Sequence, residues 1–210
     1  MRRRFLGRLA AILLSAVAVA GAAPWAQAAD ESPDALIKRL SDDVLAAIKS
    51  DKAIQGGETG RIMALVDSKI MPNVNFHRMT AAAVGPAWRQ ATPEQQKRLQ
   101  DEFKTLLVRT YAGALAQVDD QTISVKPQRG APTDNEVVVR TEIRGRGDPI
   151  QLDYRLEKAA GGWKIYNLNV LGVWLVETYR GQFAQEINAK GVDGLIASLA
   201  ERNRSNAKKG

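Results

Sequence analysis

Residues Gly161–Arg180 read GGWKIYNLNVLGVWLVETYR, and this stretch decides the fold. It begins after a glycine turn as a hairpin strand and continues into a helical pattern without a proline or a polar break. Under simple alternation, apolar side chains fall on both faces of the strand: Trp163, Ile165 and Leu171 on one, and Tyr166, Leu168 and Val170 on the other. Antiparallel strands usually expose one face to water. We therefore predict that this strand is covered on both faces, or that it lines an apolar space not filled by protein.

Three earlier segments alternate between apolar and polar residues and are separated by glycine-containing turns: Thr122–Lys126, Glu136–Arg144 and Ile150–Glu157. The alternation assigns an inward set to the second and third segments: Val137, Val139 and Ile143, then Ile150, Leu152, Tyr154 and Leu156. With the strand that follows Gly161, these segments predict a four-stranded antiparallel meander.

Helical spacing of apolar residues dominates the rest of the chain. It predicts helices at Ser32–Ser50, Glu58–Ile70, Asn75–Val84, Thr92 to about Val118, about Val173–Ala189 and Val192–Asn203, with a break at Gly191. Thr92 and Gln95 have the spacing of a capping box. The expected fold is α+β: a four-stranded curved sheet covered by helices, an NTF2-like cone with an added helical part and an apolar cavity between sheet and helices.

The first 28 residues are predicted to be a removable signal peptide. Basic Arg2–Arg4 precede the apolar run Leu9–Ala20, and Ala26-Gln27-Ala28 supplies a cleavage pattern of small residues. Arg2–Leu6 also fits the twin-arginine pattern, so the general secretion route and the twin-arginine route both stay open. We expect one domain over residues 29–204 and a basic, flexible tail over residues 205–210.

The net charge of +7 comes from the two ends of the chain. The signal contributes four arginines, and residues 201–210 contribute four basic residues and one acidic residue. Of the 30 basic and 23 acidic residues, 22 of each are therefore left in the body of the chain. A neutral body does not indicate a nucleic-acid-binding protein. With one histidine and no cysteine, the composition also disfavours a transition-metal site.

Catalytic motifs are hard to find in this sequence. His77 has no Gly-x-Ser-x-Gly nucleophile motif to act with, and a surface or packing position is the simpler interpretation. Asp153 and Tyr154 could serve as base and donor in a cone-shaped enzyme, but the alternation places them on opposite faces. We expect a binding protein. A small enzyme on such a scaffold and an adaptor that carries no ligand remain the alternatives.

Several motifs resemble the MlaC (toluene-tolerance) family over nearly the whole mature chain: Arg78-Met79, Val84-Gly85-Pro86-Ala87-Trp88-Arg89, Thr92 with Gln95-Gln96, Trp163-Lys164-Ile165-Tyr166, Gly172-Val173, Tyr179-Arg180 and Gly191–Ile196. The resemblance implies a periplasmic phospholipid carrier of a Gram-negative bacterium. Members of the family move lipid between an outer-membrane lipoprotein–porin complex and an inner-membrane ABC transporter complex, which maintains outer-membrane lipid asymmetry. Phospholipid would be the cargo, and no cofactor is implied.

The apolar positions expected to contact lipid come from helices and strands alike: Val84, Trp88, Phe103, Leu106, Leu107, Tyr111, Val139, Ile143, Leu152, Tyr154, Leu156, Tyr166, Leu168, Val170 and Val173. Two departures from the family pattern accompany them. Asn167 replaces an acidic residue, which casts doubt on a polar role at that position. Leu171 and Trp174 replace polar residues, and a pocket lined by them is expected to be more apolar or differently shaped, with a different ligand preference.

Overall fold

The computed structural model describes residues 31–118, 120–127, 135–145 and 147–207. The predicted signal peptide and the last three residues of the predicted tail lie outside this part of the chain. Within it, the helices are α1 (Pro33–Ser50), α2 (Lys52–Gln55), α3 (Thr59–Leu65), α4 (Phe76–Val84), α5 (Pro93–Ala116) and α6 (Leu175–Ala207). The strands are β1 (Thr122–Val125), β2 (Glu136–Arg144), β3 (Ile150–Ala159), β4 (Gly162–Val170) and β5 (Val173–Trp174).

The helix boundaries follow the capping residues seen in the sequence. The Ser32 hydroxyl accepts a hydrogen bond from the Ala35 amide at the start of α1. Thr92 and Gln95 form the expected capping box at the start of α5. The helix predicted over Glu58–Ile70 is confirmed as a helical segment, but it is divided into α3 and a π-helical turn.

The sheet is an antiparallel meander in the order β1-β2-β3-β4-β5, so the prediction of four strands was wrong by one. Val173 and Trp174 were assigned to a helix, yet they pair with Val170 and Asn169 as β5. The physical reason is the two-residue turn between β4 and β5. Leu171 and Gly172 have φ of 53° and 87°, the positive values that a tight hairpin turn requires. Helix α6 therefore begins only at Leu175.

A bulge in β4 explains why its sequence looks apolar on both faces. Leu156 pairs with Ile165 and Arg155 pairs with Asn167, so Tyr166 is an extra residue without a partner on β3. The extra residue reverses the alternation at that point. Four apolar side chains consequently share the face of Tyr154 and Leu156, which we call the concave face: Trp163, Ile165, Leu168 and Val170. The prediction of two apolar faces was wrong.

Helices cover the concave face from two directions. Helix α1 covers one end, where a cluster of buried side chains forms: Leu36, Ile37, Leu40, Val139, Leu156, Trp163 and Ile165. Helices α4, α5 and α6 form a second cluster, the helical core, around Phe103, Tyr179, Phe183, Leu195 and Leu199. No helix in the described ranges is both long and apolar enough to cross a membrane.

Helix α6 is interrupted by a glycine that turns the chain back. Gly191 has φ 70° and ψ −175°, which is not a helical conformation. Gln182 accepts a hydrogen bond from Arg202 and Glu186 accepts one from Ser198, so the halves before and after Gly191 lie side by side. The predicted break at Gly191 is confirmed.

The turn after β4 carries strain that a substitution can relieve. A non-glycine residue in the left-handed region costs about 1–2 kcal/mol, but asparagine tolerates it because its side chain bonds locally. We expect Leu171→Asn to raise the free energy of unfolding by about 1 kcal/mol. Urea unfolding measures the change. Leu171→Ala is the matched control, because alanine keeps the same strain; equal stability of the two variants would contradict the prediction.

Candidate functional site

The end of the sheet that α1 does not cover presents incompletely buried apolar side chains. On the concave face, Ile143, Leu152, Leu168 and Val170 are only partly buried, whereas Val139 and Leu156 beneath α1 are 0 % exposed. Helix α5 contributes two further partly buried residues that pack on the same helical core as Leu168 and Val170: Leu107 and Tyr111. We call these six residues the apolar strip. Burial raises the pKa of the Tyr111 hydroxyl, which fits its place within apolar surroundings.

Large apolar side chains are exposed beside the apolar strip. Ile150, Leu171 and Val173 are 41 %, 65 % and 51 % exposed, and we call them the apolar rim. The pairing of Ile150 with Ile143, and of Val173 with Val170, places the rim against the strip. The expectation that Leu171 and Trp174 line a pocket stays a prediction: Leu171 is at an exposed turn, and Trp174 stacks against Arg155.

The fifteen residues predicted to contact lipid lie in several different parts of the structure. Six of them form the apolar strip: Leu107, Tyr111, Ile143, Leu152, Leu168 and Val170. Val173 lies on the apolar rim. The helical core holds Val84, Trp88, Phe103 and Leu106. Three residues are packed with α1: Val139, Tyr154 and Leu156. Tyr166 lies apart from all of these, since the bulge turns it away from the concave face.

Tyr154 is a structural residue on the concave face. Burial raises the pKa of its hydroxyl to about 12, although hydrogen bonds with Ser41 and Thr141 act in the opposite direction. Asp153, its neighbour, pairs with Arg140 and Asn169 on the opposite face of the sheet. The predicted separation of Asp153 from Tyr154 is confirmed, and the two cannot act together in one pocket.

A second candidate site lies at the edge of β4. It is an open cleft of about 510 Å³ that contains four arginine side chains, and we call it the arginine cleft. Its basic residues are Arg78, Arg89, Arg155 and Arg180, and the rest of its lining is Ala81, Ala82, Gly85, Pro86, Trp88, Tyr166, Asn167, Val176 and Glu177. Four cations face one carboxylate, so the lining is strongly basic.

Two of the four arginines are neutralised and held in place. Arg78 bonds to Glu157 and, at 2.6 Å, to Glu136, and its guanidinium lies 3.7 Å above the Tyr166 ring. The bond from Arg78 is the main reason why the pKa of Glu136 is lowered.

Arg155 is held in a similar way. It bonds to Glu177 and lies 4.0 Å from the centre of the Trp174 ring. Arg89 and Arg180, in contrast, form no ion pair with any residue that the structure describes. The cleft therefore carries two positive charges without counter-charges.

Asn167 organises the wall of the arginine cleft. Its side chain, 2 % exposed, accepts hydrogen bonds from the Leu168 and Val176 amides and donates one of 2.7 Å to Glu177. Partial burial raises the pKa of Glu177, but the bonds from Asn167 and Arg155 outweigh it and the net pKa is lowered. The doubt about a polar role at this position was unfounded. An amide can donate to Glu177, which an aspartate cannot do.

Sequence reasoning missed the arginine cleft. Three of its arginines appear in the sequence analysis only within family motifs, and Arg155 falls outside the inward set that the alternation assigns to its strand. The neutral count of charges in the body hid a local excess of positive charge. His77 is exposed and packs edge-on against Trp88 at 5.2 Å, as expected for a packing residue. Among the described residues, no group of three His, Asp or Glu side chains could hold a metal ion.

Comparison with known proteins adds a family and a solved fold. The family model "MlaC protein" matches residues 38–201. The chain is 25% identical over 190 residues to the toluene tolerance protein ttg2D of Pseudomonas putida, which covers 87% of this chain and 88% of that one. It is 23% identical over 177 residues to the intermembrane phospholipid transport system binding protein MlaC of Haemophilus influenzae. This match covers 82% of this chain and 83% of the Haemophilus protein. The solved structure of a phospholipid-binding protein from Ralstonia solanacearum, in complex with a phospholipid, is 50% identical, has a TM-score of 0.82 and covers 85% of this chain and 99% of that chain.

Proposed function

Because the chain belongs to the MlaC family, we propose that it binds phospholipid and transports it as a periplasmic carrier rather than as an enzyme. The observation that carries this proposal is the similarity to the Ralstonia protein. That protein was solved with a phospholipid bound, and it is 50% identical over 85% of this chain. At this level of identity the same fold is expected to present the same kind of apolar site. The proposed cargo is therefore a phospholipid, and the carrier needs no cofactor.

The apolar strip is the proposed contact surface for the acyl chains. Its residues lie on the concave face and on α5 and are left partly uncovered, so a lipid chain can bury them further. Each methylene removed from water contributes about 0.8 kcal/mol, so one 16-carbon chain contributes about 12 kcal/mol. A diacyl lipid therefore hardly dissolves in an aqueous compartment without a carrier. The cavity between sheet and helices in an NTF2-like cone is the proposed space for the tails.

The similarity to an intermembrane transport protein supports a wider role. That relative is a binding protein of an intermembrane phospholipid transport system. We propose that this chain likewise exchanges lipid with an inner-membrane ABC transporter complex and an outer-membrane lipoprotein–porin complex, and so maintains outer-membrane lipid asymmetry. We further propose that residues 29–204 act as one lipid-binding domain after removal of the signal peptide.

Lipid extraction is the direct test of the proposal. The protein is purified from a lipid-rich host and extracted with organic solvent, and the phospholipid per protein is measured by mass spectrometry. We expect Val170→Asp to reduce the bound phospholipid about tenfold or more, because a carboxylate beside acyl chains is poorly solvated. Circular dichroism confirms that the variant is folded.

The matched control is Val138→Asp, the same substitution at a partly buried position on the opposite face of the sheet. It pairs with Arg155 and should keep its lipid. Equal lipid content in the two folded variants would show that the strip is not the contact surface. Absence of phospholipid from the unsubstituted protein would favour a lipid-free adaptor and contradict the proposal.

A further inference from the structure

The arginine cleft has the charge of an anion site. Arg78 is balanced by Glu136 and Glu157, and Arg155 is balanced by Glu177. Arg89 and Arg180 are left without ion-pair partners among the described residues, although both line the cleft. Both side chains are exposed and line the same cleft, so an anion bound there can interact with two positive charges that have no other partner among the described residues.

The floor of the arginine cleft is apolar and continuous with the helical core. Ala81, Ala82, Trp88 and Val176 line the cleft, and each either belongs to the helical core or packs against it. An anion that fits both the basic lining and the apolar floor of the cleft has an apolar portion attached to it. A simple inorganic ion would leave the apolar floor in contact with water.

The cleft also lies at a part of the β4 edge to which no described strand pairs. Val74 bridges Ile165 on one side, and β5 pairs with Asn169 and Val170 on the other. Tyr166 and Asn167 lie between these contacts and line the cleft. The apolar strip begins at Leu168, the next residue along the strand and on the opposite face. The cleft and the strip are therefore adjacent along β4, although they lie on opposite faces of the strand.

We propose that the arginine cleft binds the phosphate of the carried phospholipid, with Arg89 and Arg180 as its direct ligands. This inference rests on the proposed function. Arginine is suited to the role, because its planar guanidinium donates two parallel hydrogen bonds to a phosphate. Arg78 and Arg155 position the walls of the cleft through their contacts with Tyr166 and Glu177, which both line it.

The test compares two lipids that differ only in the phosphate head group. Vesicles of a neutral carrier lipid are doped with labelled 1-palmitoyl-2-oleoyl phosphatidylglycerol or with labelled diacylglycerol that has the same chains. Transfer to the delipidated protein is measured for the unsubstituted chain and for the double variant Arg89→Gln, Arg180→Gln. We expect the double variant to bind phosphatidylglycerol about tenfold more weakly or worse, because charge-assisted hydrogen bonds are lost. Its binding of diacylglycerol should not change.

The control is Arg98→Gln, which removes an exposed arginine of α5 that does not line the cleft. Equal phosphatidylglycerol binding by the control, the double variant and the unsubstituted protein would overturn the proposal. If the unsubstituted protein took up neither lipid, the proposed function itself would fail, which is a different result.

Soluble probes separate a head-group site from a site for free anions. Inorganic phosphate and glycerophosphoglycerol are titrated against the delipidated protein by calorimetry. Binding of inorganic phosphate that the double variant loses, together with unchanged transfer of phosphatidylglycerol, would assign the cleft to free phosphate and overturn the head-group proposal. Weak binding of glycerophosphoglycerol that the double variant loses, together with impaired phosphatidylglycerol transfer, would support it.

Discussion

Phe103→Ala is expected to lower the free energy of unfolding by about 3–5 kcal/mol, because it leaves a large cavity in a core with no solvent contact. Phe103 is 0 % exposed. Its ring centre lies 5.7 Å from that of Phe76, 4.9 Å from that of Tyr179 and 5.2 Å from that of Phe183. Removal of the ring therefore breaks aromatic contacts between α4, α5 and α6 at once. Urea unfolding followed by circular dichroism measures the loss.

The matched control for Phe103→Ala is Leu107→Ala, one helical turn further along α5. Leu107 is only partly buried and belongs to the apolar strip. It should lose less stability than Phe103→Ala and more bound phospholipid. A small stability loss for Phe103→Ala with severe lipid loss would instead place Phe103 at the lipid, as the sequence alone suggested.

Asn167→Leu is expected to lower the free energy of unfolding by about 2–4 kcal/mol, because it leaves several buried polar groups without partners. The substitution removes the acceptor of the Leu168 and Val176 amides and the donor to Glu177. Leucine has nearly the same size, so little of the loss comes from packing. Urea unfolding at neutral pH measures it.

The control for Asn167→Leu is Asn169→Leu on the same strand and face. Asn169 is also buried, but the structure gives its side chain one bond, from the Gly172 amide. Asn169→Leu should therefore lower the free energy of unfolding clearly less than Asn167→Leu does. Equal losses for the two variants would show that the bonds of Asn167 add nothing beyond burial.

The pH dependence of Asn167→Leu provides a second readout. The pKa of Glu177 is lowered in the folded protein, so its contribution is fully present above the ordinary glutamate pKa of about 4.3 and is lost as the pH falls through the folded value. Without the bond from Asn167, the folded pKa moves back upward. The stability difference between the variant and the unsubstituted protein should therefore shrink on acidification.

Local signals in the sequence predicted most of the fold. The capping residues Ser32 and Thr92 and the alternation of β2 and β3 each depend on neighbouring residues alone, and the structure confirms them. Tyr166 is different. Nothing in its neighbours marks it as the extra residue of a bulge, because the bulge depends on the pairing of Arg155 and Leu156 across the sheet. Because this extra residue was not recognised, the residues of β4 that follow Tyr166 were assigned to the wrong face of the sheet.

The candidate sites were also predictable only where they depend on neighbouring residues in the sequence. Apolar periodicity found the residues of the strip, but it could not separate Leu107, which is partly uncovered, from Phe103, which is enclosed. That distinction depends on how α4 and α6 pack against α5. Arg89 and Arg180 are 91 positions apart in sequence. Only the folded chain brings them to one cleft. Their charge is available because Glu177, the one carboxylate of the lining, is bonded to Arg155 and Asn167 instead.

The turn at Leu171 matters for attempts to make this protein more robust. Its backbone is strained, and its side chain is 65 % exposed on the apolar rim, so selection for heat resistance favours its replacement. Such gains are often obtained at the expense of activity. A heat-selected descendant with a changed residue 171 could be the more durable protein and the poorer carrier. Laboratory evolution of this chain should therefore select on lipid delivery and on thermal survival together.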